Sequence, residues 1–299
     1  MYRTMRTTRR KFPLIKFFIV SGLVTICALM ASAAYFYYTY KPFALEIQQV
    51  RQARPVNFNM GIDVSQTIAS DVLADFKEAS IQQLKTLIGA QKISYTISVF
   101  GMPGCESARF AEVVATQAPE DAVTFAWKVE ERIRGVVIAH GSQNEEDQIP
   151  LTTPLNRFLQ EILDANPGER TIILSDLVDD NSDCGPTDPF PEQALINFGV
   201  HQKGQIIFYY PTPVLFGSFN TPRSKQNLLQ KQTNFIQRVQ ALSDAGKARA
   251  FFYHVPDNPA QRKKFFRAQL QKAIPKTDFQ IIWERVSRLA ETYTHGFRG

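Results

Sequence analysis

Residues 57 to 67 read Asn-Phe-Asn-Met-Gly-Ile-Asp-Val-Ser-Gln-Thr, a short apolar run ending on Asp63 with oxygen side chains at every second position after it. In extended chain, residues two apart point to the same side. Asp63, Ser65 and Thr67 would therefore converge where a strand runs out. Such a set suits a small, hard cation that takes oxygen ligands in near-octahedral geometry. The same acid-hydroxyl alternation also precedes ordinary helices, with Ser65 or Thr67 as the N-cap, and both readings stay open on this stretch alone.

Two later segments carry matching chemistry. Residues 171 to 176, Thr-Ile-Ile-Leu-Ser-Asp, form a buried-strand pattern that ends on a second carboxylate, Asp176. Between them, Thr152 and Thr153 precede Pro154-Leu155, and Pro is favoured in the first turn of a helix.

Taken in order, Asp63-x-Ser65-x-Thr67, then Thr153-Pro154-Leu155, then Ser175-Asp176 resembles the von Willebrand factor type A (vWA) domain in its form with a metal-ion-dependent adhesion site. The resemblance covers about residues 57 to 273 and rests on motif order and strand-helix alternation. It implies that Asp63, Ser65, Thr67, Thr153 and Asp176 form one Mg2+ or Mn2+ site. In the family the hydroxyls ligate directly and the aspartates act mostly through water. The ion then stays under-neutralised and accepts an Asp or Glu of a partner protein, because hydroxyls do not quench its charge as carboxylates do. Three positions depart from the family pattern. Thr67 stands where Ser is commoner, Leu151 and Thr152 stand where two glycines often precede the loop threonine, and Leu177 replaces a frequent glycine after Asp176.

The elements that must position these residues follow from periodicity. Strands are predicted over 58–63, 93–100, 171–176, 206–210 and 250–255. Helices are predicted from Ile68 to near Gly89 and over 154–165, 224–243 and 258–273, with a short helix over 106–117. Val123 to Val129 alternates and, with 136–139, predicts an edge hairpin. Beyond Pro275, residues 279–283 suit a strand, or a helix using Ile282, Val286, Leu289 and Tyr293. Helix between strands is the parallel-sheet pattern, so the expected fold is α/β, a doubly wound, mostly parallel sheet with helices on both faces. Ligands of such sheets bind outside the carboxyl ends of the strands, where Asp63 and Asp176 fall.

With 299 residues and 44% hydrophobic content, the chain can build one substantial core and carry an appendage. The N-terminus is that appendage. Basic residues in 1–16 precede an apolar run over 17–37 whose interior holds no charge. This reads as a single transmembrane helix with its basic flank cytoplasmic and an aromatic cluster, Tyr35 to Tyr40, at the far interface. Residues 38–56 form a tether, 57–273 the body and 274–299 a C-terminal extension. The expected place is the inner membrane of a bacterial cell, with the body in the periplasm. Export with cleavage after Ala31-Ser32-Ala33 is the alternative.

Net charge is distributed in blocks: +8 over 1–56, −12 over 57–222 and +10 over 223–299. The basic run Arg262-Lys263-Lys264-Phe265-Phe266-Arg267 reads as a solvated helix face before it reads as a lipid contact. Nucleic acid is not expected as a partner of an exported domain. Cys27 lies within the apolar run. In the family's sheet order the strands before Cys105 and Cys184 flank the first strand, so a Cys105–Cys184 disulfide is open, as are two unrelated thiols.

Catalytic signatures are missing from the sequence. The four histidines, His140, His201, His254 and His295, have no metal-binding spacing, and neither a nucleophile elbow nor a phosphate-binding loop is present. The expectation is a non-enzymatic, membrane-anchored domain that binds a partner through a divalent cation. The alternatives are a scaffold of an envelope complex that does not use the metal, and a metal-dependent hydrolase.

Overall fold

A computed structural model of the chain describes residues 25–32, 35, 55–102, 110–138, 153–165, 169–179, 188–215, 221–284 and 287. The chain divides into two compact units, Arg54–Thr277 and a second made of Met1–Ala53 with Asp278–Gly299. The first is an α/β unit built on a six-stranded sheet of order β3-β2-β1-β4-β5-β6. Its strands are β1 (Val56–Asp63), β2 (Ile93–Phe100), β3 (Ala111–Gln117), β4 (Arg170–Leu174), β5 (Gln205–Tyr210) and β6 (Ala250–His254). All pairs are parallel except β2 with β3.

Helices close both faces. On one, α1 (Ser70–Lys85) and α6 (Pro259–Ala273) pack over Phe58, Met60, Ile62, Ile172 and Leu174 of the central strands. On the other, α3 (Leu155–Ala165) and α5 (Pro222–Asp244) cover Ile173, Ile206 and Phe208. The central strands bury both faces, which is why they read as nearly continuous apolar runs. Gly61 in β1 is required by packing: a Cβ there would stand 2.5 Å from the Phe158 ring of α3. The same ring stacks on Phe100 of β2 with centroids 4.1 Å apart. This close approach seats the start of α3 at the carboxyl end of the sheet.

Three expectations are corrected. Residues 111–117, expected in a short helix, form the antiparallel edge strand β3. The expected hairpin at 123–129 is instead the helix α2, running through Ala122–Phe125, a π-helical turn Ala126–Glu130 and Glu131–Arg134. Asp121 caps it, accepting from the backbone of Val123 and Thr124 at 2.8 Å each. Phe125, Val129 and Ile133 are fully buried while Val123 and Trp127 are exposed. The alternation thus marked two faces of a helix at spacing four, and residues 136–138 are not strand.

The third correction concerns the basic block in α6. Its residues do not form one solvated face: Arg262 and Phe266 are buried, and only Lys263, Lys264 and Arg267 are exposed. Arg262 donates from Nε to Asp75 Oδ2 and from Nη2 to Asp71 Oδ2, both at 2.7 Å, and so clamps α6 to α1.

One helix was not anticipated, α4, which runs over Glu192–Ile196 and continues as a π-helical turn Asn197–His201. In the second unit, residues 278–284 are helical, which decides between the two readings for that stretch. Among the described residues no helix is long and apolar enough to cross a membrane. Most of the expected 17–37 span lies outside them; residues 25–32 are helical and exposed. Cys105 and Cys184 also fall outside the described residues.

Candidate functional site

The site begins where β1 ends. Ile62 pairs with Val99 of β2 on one side and with Leu174 of β4 on the other, so Asp63 emerges between two parallel neighbours. Its carboxylate is fully buried. Oδ1 accepts from the Ser65 backbone N–H at 2.9 Å and Oδ2 accepts from the Ser175 hydroxyl at 2.8 Å. The second bond ties the end of β1 to the residue directly before Asp176.

The chain then turns, and Ser65 Oγ and Thr67 Oγ1 stand 2.9 Å apart. Helix α1 does not use either hydroxyl. It starts from Ala69 with no side-chain cap, so the capping account of this motif does not hold. The Thr67 carbonyl accepts from Val214 N–H at 2.9 Å, which fixes the turn against the loop after β5.

Asp176 is fully buried, and its Oδ1 accepts from Val178 N–H at 3.0 Å. Buried Gln232 of α5 donates to the Asp176 carbonyl at 2.7 Å and to the Pro211 carbonyl at 3.0 Å, joining two rim loops. Leu177 keeps the left-handed backbone that favours glycine, with φ 61. Its side chain is buried in the core under α3 and α4, so packing holds a conformation that local sterics disfavour.

Thr153 is buried just ahead of α3. The first turn of that helix is tied to the loop after Asp176: Asn156 donates from its backbone to Asp179 Oδ1 at 2.9 Å and from Nδ2 to Asp179 Oδ2 at 3.1 Å. The structure therefore gathers Asp63, Ser65 and Thr67 within one turn and ties Asp63 to Ser175, the residue before Asp176. Thr153 sits on a segment laced to the Asp176 loop. Among the described residues no group of three or more His, Cys, Asp and Glu side chains could hold a metal; the candidate set has two carboxylates and three hydroxyls.

No protein-family model matches the chain, and no curated protein matches it in sequence. Among solved structures it is similar to the pilus adhesin SpaC from Lactobacillus rhamnosus GG in its open conformation. That likeness has a TM-score of 0.43 and 11% identity, over 74% of this chain and 30% of the adhesin. The PilB minor pilin from Streptococcus sanguinis is similar at a TM-score of 0.37 and 13% identity, over 74% of this chain and 62% of the pilin. The chain thus spans less than two thirds of either protein.

Sequence reasoning missed three residues of this rim. Ser175 was visible only as a neighbour of Asp176, yet it bridges the two strand ends. Gln232 carried no local signal. Gly101 follows β2 with φ +82, and a Cβ there would sit 2.8 Å from Asp63 Oδ1 and 3.0 Å from Ser65 N. A glycine directly after a strand was the available clue.

Burial pushes the Asp63 carboxyl up to about 6, against which hydrogen bonds from the Ser65 side chain, the Ser65 backbone and Ser175 act in the other direction. Without a cation, the folded protein holds this proton more tightly than the unfolded chain, whose carboxyl lies near 3.8. The stabilisation is present in full below that value and is lost as pH rises through about 6. In chelator, the urea midpoint of the wild type should therefore fall relative to Asp63→Asn between about pH 4 and about pH 7. A difference that stays flat over that range would show that Asp63 ionises as freely in the fold as outside it.

Proposed function

We propose that this chain is a membrane-anchored, extracytoplasmic domain of vWA type that joins a partner protein through a divalent cation, Mg2+ or Mn2+. The observation that carries the reading is a pair of closely spaced hydroxyls beside a buried carboxylate. Ser65 Oγ and Thr67 Oγ1 are 2.9 Å apart and cap no helix. Adjacent oxygens on an octahedral ion with bonds of about 2.1 Å stand about 3.0 Å from each other, so the spacing suits two neighbouring ligands. The desolvated Asp63 carboxylate beside them supplies negative charge that a cation would compensate.

Ser65, Thr67 and Thr153 would hold the ion directly, with Asp63 and Asp176 supporting it through water. Once bound, the ion supplies an electrophilic position for an Asp or Glu of the partner. Asp63 stays fixed by Ser175 and the Ser65 backbone, so its charge is oriented before any ligand arrives. The basic N-terminal flank and the charge-free run after it support an inner-membrane anchor with the body outside the cytoplasm.

The test is unfolding of the full chain with MgCl2 or MnCl2 against chelator. A cation at a hundredfold excess over its Kd should add about 2.7 kcal/mol of stability, and Ser65→Ala with Thr67→Val should abolish the gain while leaving the chelated protein folded. Partner capture should show the same dependence. A wild type indifferent to both ions would overturn the proposal.

A further inference from the structure

The face of the sheet under α6 carries a second cluster of polar groups that the proposed metal chemistry does not use. A cavity of about 160 Å³ lies between α6 and strands β4 to β6, and Arg170, Gln205, Tyr209, Tyr253, Gln269 and Lys272 are among the residues that line it. Arg170 and Gln205 are the first residues of their strands and pair with each other, and the cavity runs from them along the sheet to Tyr209 and Tyr253. No carboxylate is among its described lining residues.

Two features suit the cavity to a ligand. Tyr209 is 1% exposed and its hydroxyl makes no hydrogen bond to a described residue. A buried hydroxyl left unmade costs about 1–3 kcal/mol, and such groups in native proteins call for an explanation. Arg170 is the second feature. Its hydrogen bonds run from Nη1 to the carbonyls of Lys272 and Ala273 at the end of α6. Among the described residues no carboxylate forms an ion pair with it. Burial pulls its guanidinium down, and Glu169 acts on it only through space. The Tyr253 hydroxyl and Arg170 both act electrostatically on the Tyr209 hydroxyl, so these polar heads share one neighbourhood.

We propose that this cavity binds a small oxyanion, of carboxylate or phosphate size, between the Arg170 guanidinium and the Tyr209 hydroxyl. Guanidinium is suited to both shapes because its planar fork presents paired donors. The Lys272 amine adds charge, and the Gln205 and Gln269 amides add neutral donors. The volume admits one such group and excludes a nucleotide. Half-exposed Phe251 on the cavity wall leaves an entry from the side of β6.

The experiment follows thermal unfolding of the full chain in sodium phosphate and in sodium acetate, each against sodium chloride at equal ionic strength. The expected result is a rise in midpoint beyond that in chloride; phosphate alone indicates a tetrahedral ligand, and acetate a carboxylate, free or borne on a protein. Tyr209→Phe should be at least as stable as the wild type without the anion, because the hydroxyl it removes has no partner among the described residues. It should bind at least about tenfold more weakly, the loss expected for a hydrogen bond to a charged group. Gln205→Leu provides a second variant if that one does not fold, and Ser65→Ala should leave anion binding intact. Equal midpoints in all three salts, or undiminished affinity in both cavity variants, would overturn the assignment.

Discussion

Replacing Arg262 by alanine is expected to destabilise the α/β unit by about 3–5 kcal/mol, read as a lower urea midpoint. The side chain is 3% exposed and bonds Asp75, itself only 11% exposed, and the more open Asp71. Removing the guanidinium strands the Asp75 carboxylate between α1 and α6, where among the described residues Lys263 Nζ, 3.8 Å away and well exposed, is the one cation left in reach. The penalty is mainly that of an uncompensated buried charge rather than the net worth of the pair. Arg262→Met combined with Asp75→Leu should therefore recover most of the loss. A single variant within about 1 kcal/mol of wild type would mean that Asp75 rehydrates freely when its partner is gone.

Gly101→Ala is expected to damage both stability and cation binding. The backbone there is left-handed, φ +82, and the new methyl would meet Asp63 Oδ1 at 2.8 Å and Ser65 N at 3.0 Å. Left-handed strain costs about 1–2 kcal/mol and crowding about 1–3 more, so a total near 3 kcal/mol is reasonable. Relief requires the Asp63–Ser65 turn to move, and the proposed ligands move with it; Mg2+ affinity should fall at least about tenfold. Gly89 supplies the control. It has φ +80 and nothing within 4 Å of its absent Cβ, so Gly89→Ala should show the backbone cost alone and leave cation binding unchanged. Equal effects of the two substitutions would remove Gly101 from the site.

The central strands were legible because burial on both faces leaves little freedom in their composition: Ile93–Phe100 matches its predicted range, and β1, β4, β5 and β6 lie within two residues of theirs. Edge elements were not. Ala111–Gln117 is buried at Val114 alone, so its sequence carries almost no strand pattern. At 121–134 the alternation of Val123, Phe125, Trp127 and Val129 obscured the spacing of Phe125, Val129 and Ile133, which together with an Asp121 cap spelled a helix. The candidate site divides in the same way. Asp63, Ser65 and Thr67 are neighbours in sequence and could be read directly. Ser175, Gly101 and Gln232 contribute through contacts that exist only after the strands and helices have come together, and no local pattern encodes those.

The hydrogen bond from Ser175 to Asp63 spans 112 positions of chain. Its ends meet only after β1 has found β4, a pairing whose loop-closure entropy must be met before any contact rewards it. The rim is therefore absent from any collapsed state in which β1 is paired with β2 alone. A ligand captured at that rim would hold the seam between β1 and β4 shut, and its stabilisation would appear in the unfolding rate wherever that seam forms after the transition state.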